Sequence, residues 1–244
     1  MTASPFVSIT LSILAAVAGC DSKERPAAAG PSAPAVVLEH AITEIVPSGT
    51  EPPPPAVDLK SVAIGTQVWM AENLDVSHFR NGDPIPEVTT KADWEAAYRN
   101  EAPAWSYYRN DAAQGKKYGR LYNWYAVNDP RGLAPQGWHV ATDKEWQQLI
   151  AAVGGQNAAF AKLKSASGFA ALPGGERLYS DAAFYKSGEI GFWWTATRAD
   201  KFNAWYHAMH FGLSQVGRDN GGMNTGFSVR CVRDAPDATH ETTE

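Results

Sequence analysis

A nine-residue stretch, WHVATDKEW at residues 138–146, concentrates side chains that could do acid–base chemistry. One histidine and two carboxylates, His139, Asp143 and Glu145, lie within seven positions of one another. Histidine and carboxylate groups are the usual general acids and bases because their pKa values can be brought close to neutrality. The same stretch also fits a helix start, since Thr142 and Glu145 have the spacing of a capping box. Whether the chain is an enzyme depends on which interpretation applies.

The helix interpretation accounts for most of this cluster. An apolar stripe follows at positions i, i+3 and i+4, formed by Trp146, Leu149 and Ile150. Asp143 and Glu145 would then lie in the first turn, where the backbone dipole favours carboxylates. Capping and dipole effects explain both carboxylates without catalysis, and only His139 is left without a role.

Other signals of chemistry are weak. The sequence contains no Gly-x-Ser-x-Gly elbow and no phosphate-cradling glycine loop. His207 and His210 are three apart, so on a strand they point to opposite faces and cannot share one metal ion. Cys20 and Cys231 are the only cysteines, which excludes a multi-cysteine metal site. We therefore expect no metal and no cofactor, and we predict that the chain is not an enzyme.

The first 19 residues have the pattern of a secretion signal. Residues 6–18 form an apolar run that is too short to span a bilayer as an ordinary helix, and small residues then precede Cys20. This arrangement resembles a bacterial lipobox, in which the cysteine becomes the lipid-carrying N-terminus. Residues 1–5 depart from the pattern because they contain no Lys or Arg. We predict a signal peptide over residues 1–19 and lipidation of Cys20 with diacylglycerol and palmitate; the alternative is an uncleaved anchor or a chance apolar run.

Residues 20–57 have the composition of a disordered, lipid-anchored linker. The 37 residues from Asp21 to Val57 contain eight prolines and no Trp, Tyr or Phe. Such a segment cannot bury enough apolar surface to offset its chain entropy. Residues 235–244 are expected to form a disordered tail.

Residues 58–234 have the composition of one folded domain. All nine tryptophans and all nine tyrosines lie here, with 19 Lys and Arg against 18 Asp and Glu. A nearly neutral domain lacks the basic face that phosphate contacts require, which argues against a nucleic-acid partner. Electrostatic capture of a strongly charged substrate is not expected either.

Periodicity predicts strands at both ends of the domain and helices between them. A hairpin is expected over residues 62–70 with its turn at Gly65, and a helix is expected to follow Thr90 as N-cap, with Asp93 as reciprocal partner. A shorter helix is predicted over residues 157–164. The remaining predicted strands are residues 192–195, 204–211 and 227–232, whereas residues 118–127 fit a strand or a helix. This order indicates a single α+β domain.

Six sequence blocks cover most of the domain. They are residues 67–74 (QVWMAENL), 118–127 (YGRLYNWYAV), 134–140 (APQGWHV), 172–175 (LPGG), 193–195 (WWT) and 228–234 (SVRCVRD). In type, order and spacing they resemble the Fibrobacter succinogenes major paralogous domain family. The resemblance implies a surface or secreted bacterial protein, often a lipoprotein, whose molecular function is not established. It also implies a C-type-lectin-like fold, through a relationship with the formylglycine-generating enzymes.

The resemblance does not extend to the oxidase chemistry of those enzymes. Their reaction needs two cysteines that hold copper, since thiolates suit Cu(I). Cys231 lies in the strand that is structural in those enzymes, and with Cys20 lipidated no second thiol is available.

The stretch from residue 198 to residue 225 mixes aromatic and polar residues among glycines. Aromatic rings stack on sugars and apolar side chains, while amide and guanidinium groups supply directional hydrogen bonds. In C-type-lectin-like folds the long loops near the C-terminus usually carry the ligand surface. The predicted ligand-binding residues are Asn203, Trp205, His207, Arg218, Asn220 and Asn224. The alternative is that Trp193, Trp194 and Trp205 belong to the core and that the polar residues are only solvated.

Together these patterns predict a cell-envelope lipoprotein that displays a non-enzymatic binding domain for a glycan or a surface protein. The lipid would anchor it to the inner or the outer membrane. Two alternatives stay open: an enzyme acting on envelope or extracellular polymers through an unrecognised site, and a structural envelope component. An enzyme should show a concave site with convergent titratable groups, whereas a binder can show an open loop surface.

Overall fold

A computed structural model of the chain describes residues 59–165 and 167–233. The predicted signal peptide, the predicted lipidation site Cys20, the predicted linker and the predicted C-terminal tail lie outside the described residues.

Short helices lie among the short strands of the first part of the domain, and the described chain after residue 164 forms strands but no helices. The helices are α1 (Lys91–Arg99), α2 (Ala112–Tyr118), α3 (Trp124–Val127), α4 (Asp143–Ala152) and α5 (Gln156–Lys164), with a 3₁₀ turn at Tyr108–Asn110. The first strands are β1 (Ser61–Ile64), β2 (Gln67–Met70), β3 (Trp105–Ser106), β4 (Leu121–Tyr122), β5 (Trp138–Val140), β6 (Glu176–Arg177) and β7 (Phe184–Tyr185). The last strands are β8 (Ile190–Arg198), β9 (Asn203–His210), β10 (Gln215–Gly222), β11 (Ser228–Val229) and β12 (Cys231–Arg233).

Two four-stranded sheets organise the domain. The first has the order β1-β2-β12-β5, so the last strand pairs with both the opening hairpin and a strand from the middle of the chain. The second has the order β10-β9-β8-β11, with long antiparallel hairpins and a short parallel pairing of β11 with β8. Two two-stranded sheets, β3-β4 and β6-β7, complete the pairing. The predicted single α+β domain is confirmed.

Apolar side chains pack on both faces of the second sheet. Because side chains alternate along a strand, Phe192 and Trp194 on β8 face one core cluster, whereas Trp193 between them faces another. Trp193 and Trp194 are fully buried, which confirms their core role. Trp205 on β9 is only partly buried and belongs to neither cluster.

Most of the predicted local elements are present. The hairpin turns at Gly65, whose φ of 62° lies in the left-handed region that glycine tolerates. Thr90 caps α1 by accepting a hydrogen bond from the Asp93 backbone N–H at 3.1 Å. The predicted reciprocal contact with Asp93 comes from the Thr90 hydroxyl, at 2.7 Å, and not from the Thr90 backbone N–H. Residues 118–127 contain both of the alternatives, since β4 is followed by α3.

The single strand predicted over residues 227–232 was wrong. The chain leaves the second sheet after β11 and joins the first sheet at β12, and Arg230 lies at the break. The Arg230 side chain is buried and donates to backbone carbonyl oxygens of Met70 and Phe169. Apolar and polar residues continue to alternate through the break, so this alternation alone does not show that the chain changes sheets.

Candidate functional site

The start of α4 has the capping box that the sequence predicted. The Thr142 hydroxyl accepts from the Glu145 backbone N–H at 3.3 Å, and the Glu145 carboxylate accepts from the Thr142 backbone N–H at 2.7 Å. His139 also has a role, because its Nε2 lies 2.7 Å from Oε1 of Glu145 and ties β5 to the cap. Burial alone would raise the pKa of Glu145, but the bonds from His139 and Thr142 outweigh it and lower that pKa.

Asp143, the first residue of α4, does more than the predicted dipole interaction. Its buried carboxylate accepts two hydrogen bonds from Arg218, at 2.7 and 2.8 Å, and one from Gln147 at 2.6 Å. Nε2 of His207 lies 3.1 Å from the same carboxylate. Burial would raise the pKa of Asp143, yet the bonds from Arg218, His207 and Gln147 hold it below its ordinary value. Asp143 therefore joins α4 to the second sheet.

His207 is the buried member of this cluster, with only 1% of its surface exposed. Its ring stacks on Trp146 with centroids 5.0 Å apart and planes 10° apart. Burial lowers the pKa of His207 to about 4, although Asp143 opposes the shift, so the ring is neutral at pH 7. An ionised carboxylate can only accept, so the proton of the neutral ring lies on Nε2.

Arg218 forms the exposed edge of the cluster. In the β9–β10 hairpin it lies opposite His207, and its guanidinium carbon lies 3.5 Å from the centroid of the Trp205 ring. The Asp143 carboxylate accepts hydrogen bonds from Nε and Nη2 of Arg218 as a bidentate pair. This pair raises the pKa of Arg218 and fixes the plane of its guanidinium group. Within residues 59–165 and 167–233, no hydrogen bond occupies Nη1, and the side chain is 36% exposed.

A shallow cleft of about 280 Å³ opens beside Arg218. We call it the Arg218 cleft, and it is lined by Gln147, Ile150, Gln156, His207 and Arg218. The amide nitrogens of both glutamines are engaged, one with Asp143 and the other with the Val216 carbonyl oxygen at 3.0 Å. Within the described part of the chain their amide oxygens carry no hydrogen bond, so the cleft combines a guanidinium donor with two amide acceptors and one apolar side chain.

The structure brings three of the six predicted ligand-binding residues together. His207 and Arg218 line the cleft, the Trp205 ring packs against the Arg218 guanidinium, and Asn220 lies opposite Trp205 on the exposed strand β10.

Two of the predicted asparagines lie elsewhere and have local roles. The Asn203 amide donates to the Asp200 carboxylate at 2.9 and 3.1 Å, which closes the turn before β9. The buried Asn224 amide donates to the Tyr179 carbonyl oxygen at 3.1 Å.

The sequence interpretation missed the helical side of the cleft. Asp143 and Gln147 stand at i and i+4 on α4, a spacing that places them on one helix face, and this was the available signal. The helix face packs against the strands that carry His207 and Arg218, which lie 64 and 75 positions after Asp143 in the chain. Local sequence patterns do not show contacts between residues so far apart.

The described residues lack the features of a metal site and of a membrane span. No group of three His, Cys, Asp or Glu side chains there could hold a metal ion. His207 and His210 lie on strand β9, as the strand interpretation required. The helices within residues 59–165 and 167–233 are all too short or too polar to cross a membrane.

The fold and the cleft define an α+β domain with an open polar surface built from one helix face and one hairpin. The chain belongs to the Fibrobacter succinogenes major domain family, whose model matches residues 62–233. The resemblance of the six sequence blocks to this family is thereby confirmed. No curated protein and no solved structure matches the chain.

Proposed function

We propose that this chain is a cell-envelope lipoprotein whose domain binds a glycan or a surface protein without chemical turnover. The observation that carries the proposal is the Arg218 cleft. There a guanidinium fixed by Asp143 presents Nη1 beside two amide oxygens, and none of the three atoms has a hydrogen-bond partner among the described residues. Fixed donors and acceptors beside an apolar side chain are the usual means by which a protein orients a polar ligand.

The titratable groups of the cleft favour binding over catalysis. A general base needs access to its substrate and a pKa near the working pH. Asp143 is buried and engaged by three donors, with its pKa lowered, and His207 is 1% exposed with a pKa of about 4. Arg218 is thus the accessible charged group, and it is suited to hydrogen bonding rather than proton transfer.

The cleft chemistry favours a ligand rich in hydroxyl groups. The Arg218 charge is balanced by Asp143, and His207 is neutral, so the cleft has little net charge. Hydroxyl groups donate and accept, which matches one guanidinium and two amide oxygens. Glycans are therefore the first ligand class to test, and a polar protein surface is the second.

The lipid anchor and the C-type-lectin-like fold belong to the same proposal. The lipobox-like sequence at Cys20 supports the anchor, in the inner or the outer membrane. Support for the lectin-like fold comes from the family and from the position of the cleft on β9 and β10, in the last third of the domain.

A glycan array probed with the full chain, and a pull-down from envelope extracts, test the function. We expect a hydroxyl-rich glycan or a defined surface protein to be retained by the wild type and lost with Arg218→Ala. Parallel incubation with envelope polymers should release no products. Turnover of a polymer, with no ligand retained, would establish the enzyme alternative instead.

A further inference from the structure

A second polar cavity lies at the break between β11 and β12, on the buried side chain of Arg230. Only 1% of this arginine is exposed, and its Nε donates to Oδ1 of Asn73 at 2.7 Å. Nη1 donates to the carbonyl oxygens of Met70 and Phe169 at 2.8 and 2.6 Å, and Nη2 donates to that of Ala170 at 3.3 Å. A guanidinium has five N–H groups, so one N–H of Nη2 is left over.

The charge of Arg230 has no carboxylate among its hydrogen-bond partners in the described residues. Burial lowers the pKa of Arg230 to about 9, which reflects the cost of holding this charge away from water. Arg177 is buried and held by backbone carbonyl oxygens in a similar way. Carbonyl oxygens can therefore hold a buried guanidinium, but Arg230 differs from a purely structural arginine because it also lines a cavity.

That cavity has a volume of about 390 Å³, which suits a small organic molecule. We call it the Arg230 cavity, and its lining includes the charged residues Lys60, Lys116, Lys117, Arg230, Glu72 and Asp75. Both acids are already paired, Glu72 with Lys60 at 2.7 Å and Asp75 with Arg120 outside the lining. Lys116 and Lys117 form no ion pair within residues 59–165 and 167–233, so the lining has an excess of positive charge.

The wall of the cavity around Arg230 is held in place by its neighbours. Oδ1 of Asn73 accepts from Arg230 and also from Nε1 of Trp193 at 2.8 Å, while Nδ2 donates to the Tyr118 carbonyl oxygen at 2.8 Å. Gly119 has a φ of 73°, and a Cβ there would lie 2.9 Å from the Leu74 carbonyl oxygen. These contacts fix the segments around Asn73 and Gly119, which line the cavity. The groups that would contact a ligand are therefore already in position.

We propose that the Arg230 cavity binds a small organic anion, with its carboxylate or phosphate group directed at Arg230 and flanked by Lys116 and Lys117. The anion would add to the counter-charge that Glu72 supplies to the buried guanidinium through space, and a charge-assisted hydrogen bond would use the spare N–H. This site is distinct from the Arg218 cleft, because the two share no lining residue.

Titration of the full chain with glucuronate, inorganic phosphate and neutral glucose, at constant ionic strength, tests the proposal. We expect saturable binding of at least one anion by calorimetry and none of glucose. The indole N–H resonance of Trp193 should shift with the same saturation curve, because Asn73 links this group to Arg230. The anion that binds more tightly shows whether the natural ligand carries a carboxylate or a phosphate.

A variant at the rim avoids disturbing the buried arginine. Lys116→Gln combined with Lys117→Gln should weaken anion binding about fivefold or more, since both charges act at short range across the cavity. The matched control, Lys144→Gln with Lys162→Gln, removes two exposed lysines elsewhere and should leave binding unchanged. Binding of neither anion, equal binding of glucose, or equal loss in the control would overturn the proposal. Arg218→Ala should not affect anion binding, so this test is independent of the Arg218 cleft.

Discussion

At the scale of single residues, Asp143 determines how the Arg218 cleft is built. It gathers Arg218, His207 and Gln147 from three elements, β10, β9 and α4, and engages Nε and Nη2 of Arg218 but not Nη1. Two of these residues, His207 and Arg218, were predicted from their chemical types on β9 and β10. Asp143 was not, because its local role at a helix start was sufficient to explain it.

The buried His207 gives the cluster a pH dependence. Its folded pKa of about 4 lies below the ordinary value of 6.5, so below pH 6.5 the unfolded state binds the proton first. The stability that depends on neutral His207 is thus complete above about pH 6.5 and is lost as the pH falls towards 4. His207→Gln keeps an N–H donor near Asp143 but cannot titrate. Urea unfolding between pH 4 and 7 should show that the free energy of unfolding falls less with decreasing pH in this variant than in the wild type.

Glu176 must be separated from this effect because it acts in the opposite direction. Burial raises its pKa from 4.5 to about 7, so its contribution is complete below about pH 4.5 and is lost as the pH rises through 7. The comparison of His207→Gln with wild type cancels this contribution, since both proteins keep Glu176. If the free energy of unfolding changed equally with pH in the two proteins, this would show that His207 titrates normally in the folded state.

At the scale of elements, α4 is positioned by its cap and by its apolar stripe. Trp146 and Leu149 are fully buried, and the capping box fixes where the helix begins and so where Asp143 points. These features were predictable because cap spacing and the helical period are local. The break at Arg230 was not predictable, because it depends on where β2, β5 and β8 lie in space.

The helices α1 and α4, each capped by a threonine, offer a matched comparison. Thr142→Ala should cost about 1–2 kcal/mol in the free energy of unfolding, since Thr142 is part of a complete box with Glu145. Thr90→Ala at the exposed start of α1 should cost less, about 0.5–1 kcal/mol, because its cap lacks the reciprocal backbone bond. Chemical denaturation of both variants measures the difference. A larger decrease in the free energy of unfolding for Thr90→Ala than for Thr142→Ala would show that the capping box does not stabilise α4 as proposed.

At the scale of the whole molecule, the domain is one part of the proposed envelope protein. Its near-neutral composition agrees with a cleft in which Asp143 balances Arg218, and it leaves the Arg230 cavity as a local positive site. Composition could indicate that the part of the chain rich in Trp and Tyr forms the folded domain. It could not place either cavity, because both are assembled from segments far apart in sequence.

The anchoring proposal has a direct test in cells. A clickable palmitate analogue should label the wild-type protein and should not label Cys20→Ala, because the thiol of Cys20 is the acceptor that begins lipidation. Membrane fractionation of the wild type then distinguishes the inner from the outer membrane. Cys231→Ala serves as the control and should keep its label, since this buried cysteine lies within the domain. Labelling of Cys20→Ala at the wild-type level would exclude a lipid anchor at that residue.

The affinity of the identified ligand for variants of the Arg218 cleft tests the central claim most directly. Arg218→Ala should weaken binding at least about tenfold, because it removes the fixed guanidinium donor. Gln156→Ala, which removes an amide acceptor without touching Asp143, should weaken it by a smaller factor. Arg99→Ala, an exposed arginine on α1, should bind like the wild type. Calorimetry that returned the wild-type affinity for both cleft variants would contradict the account.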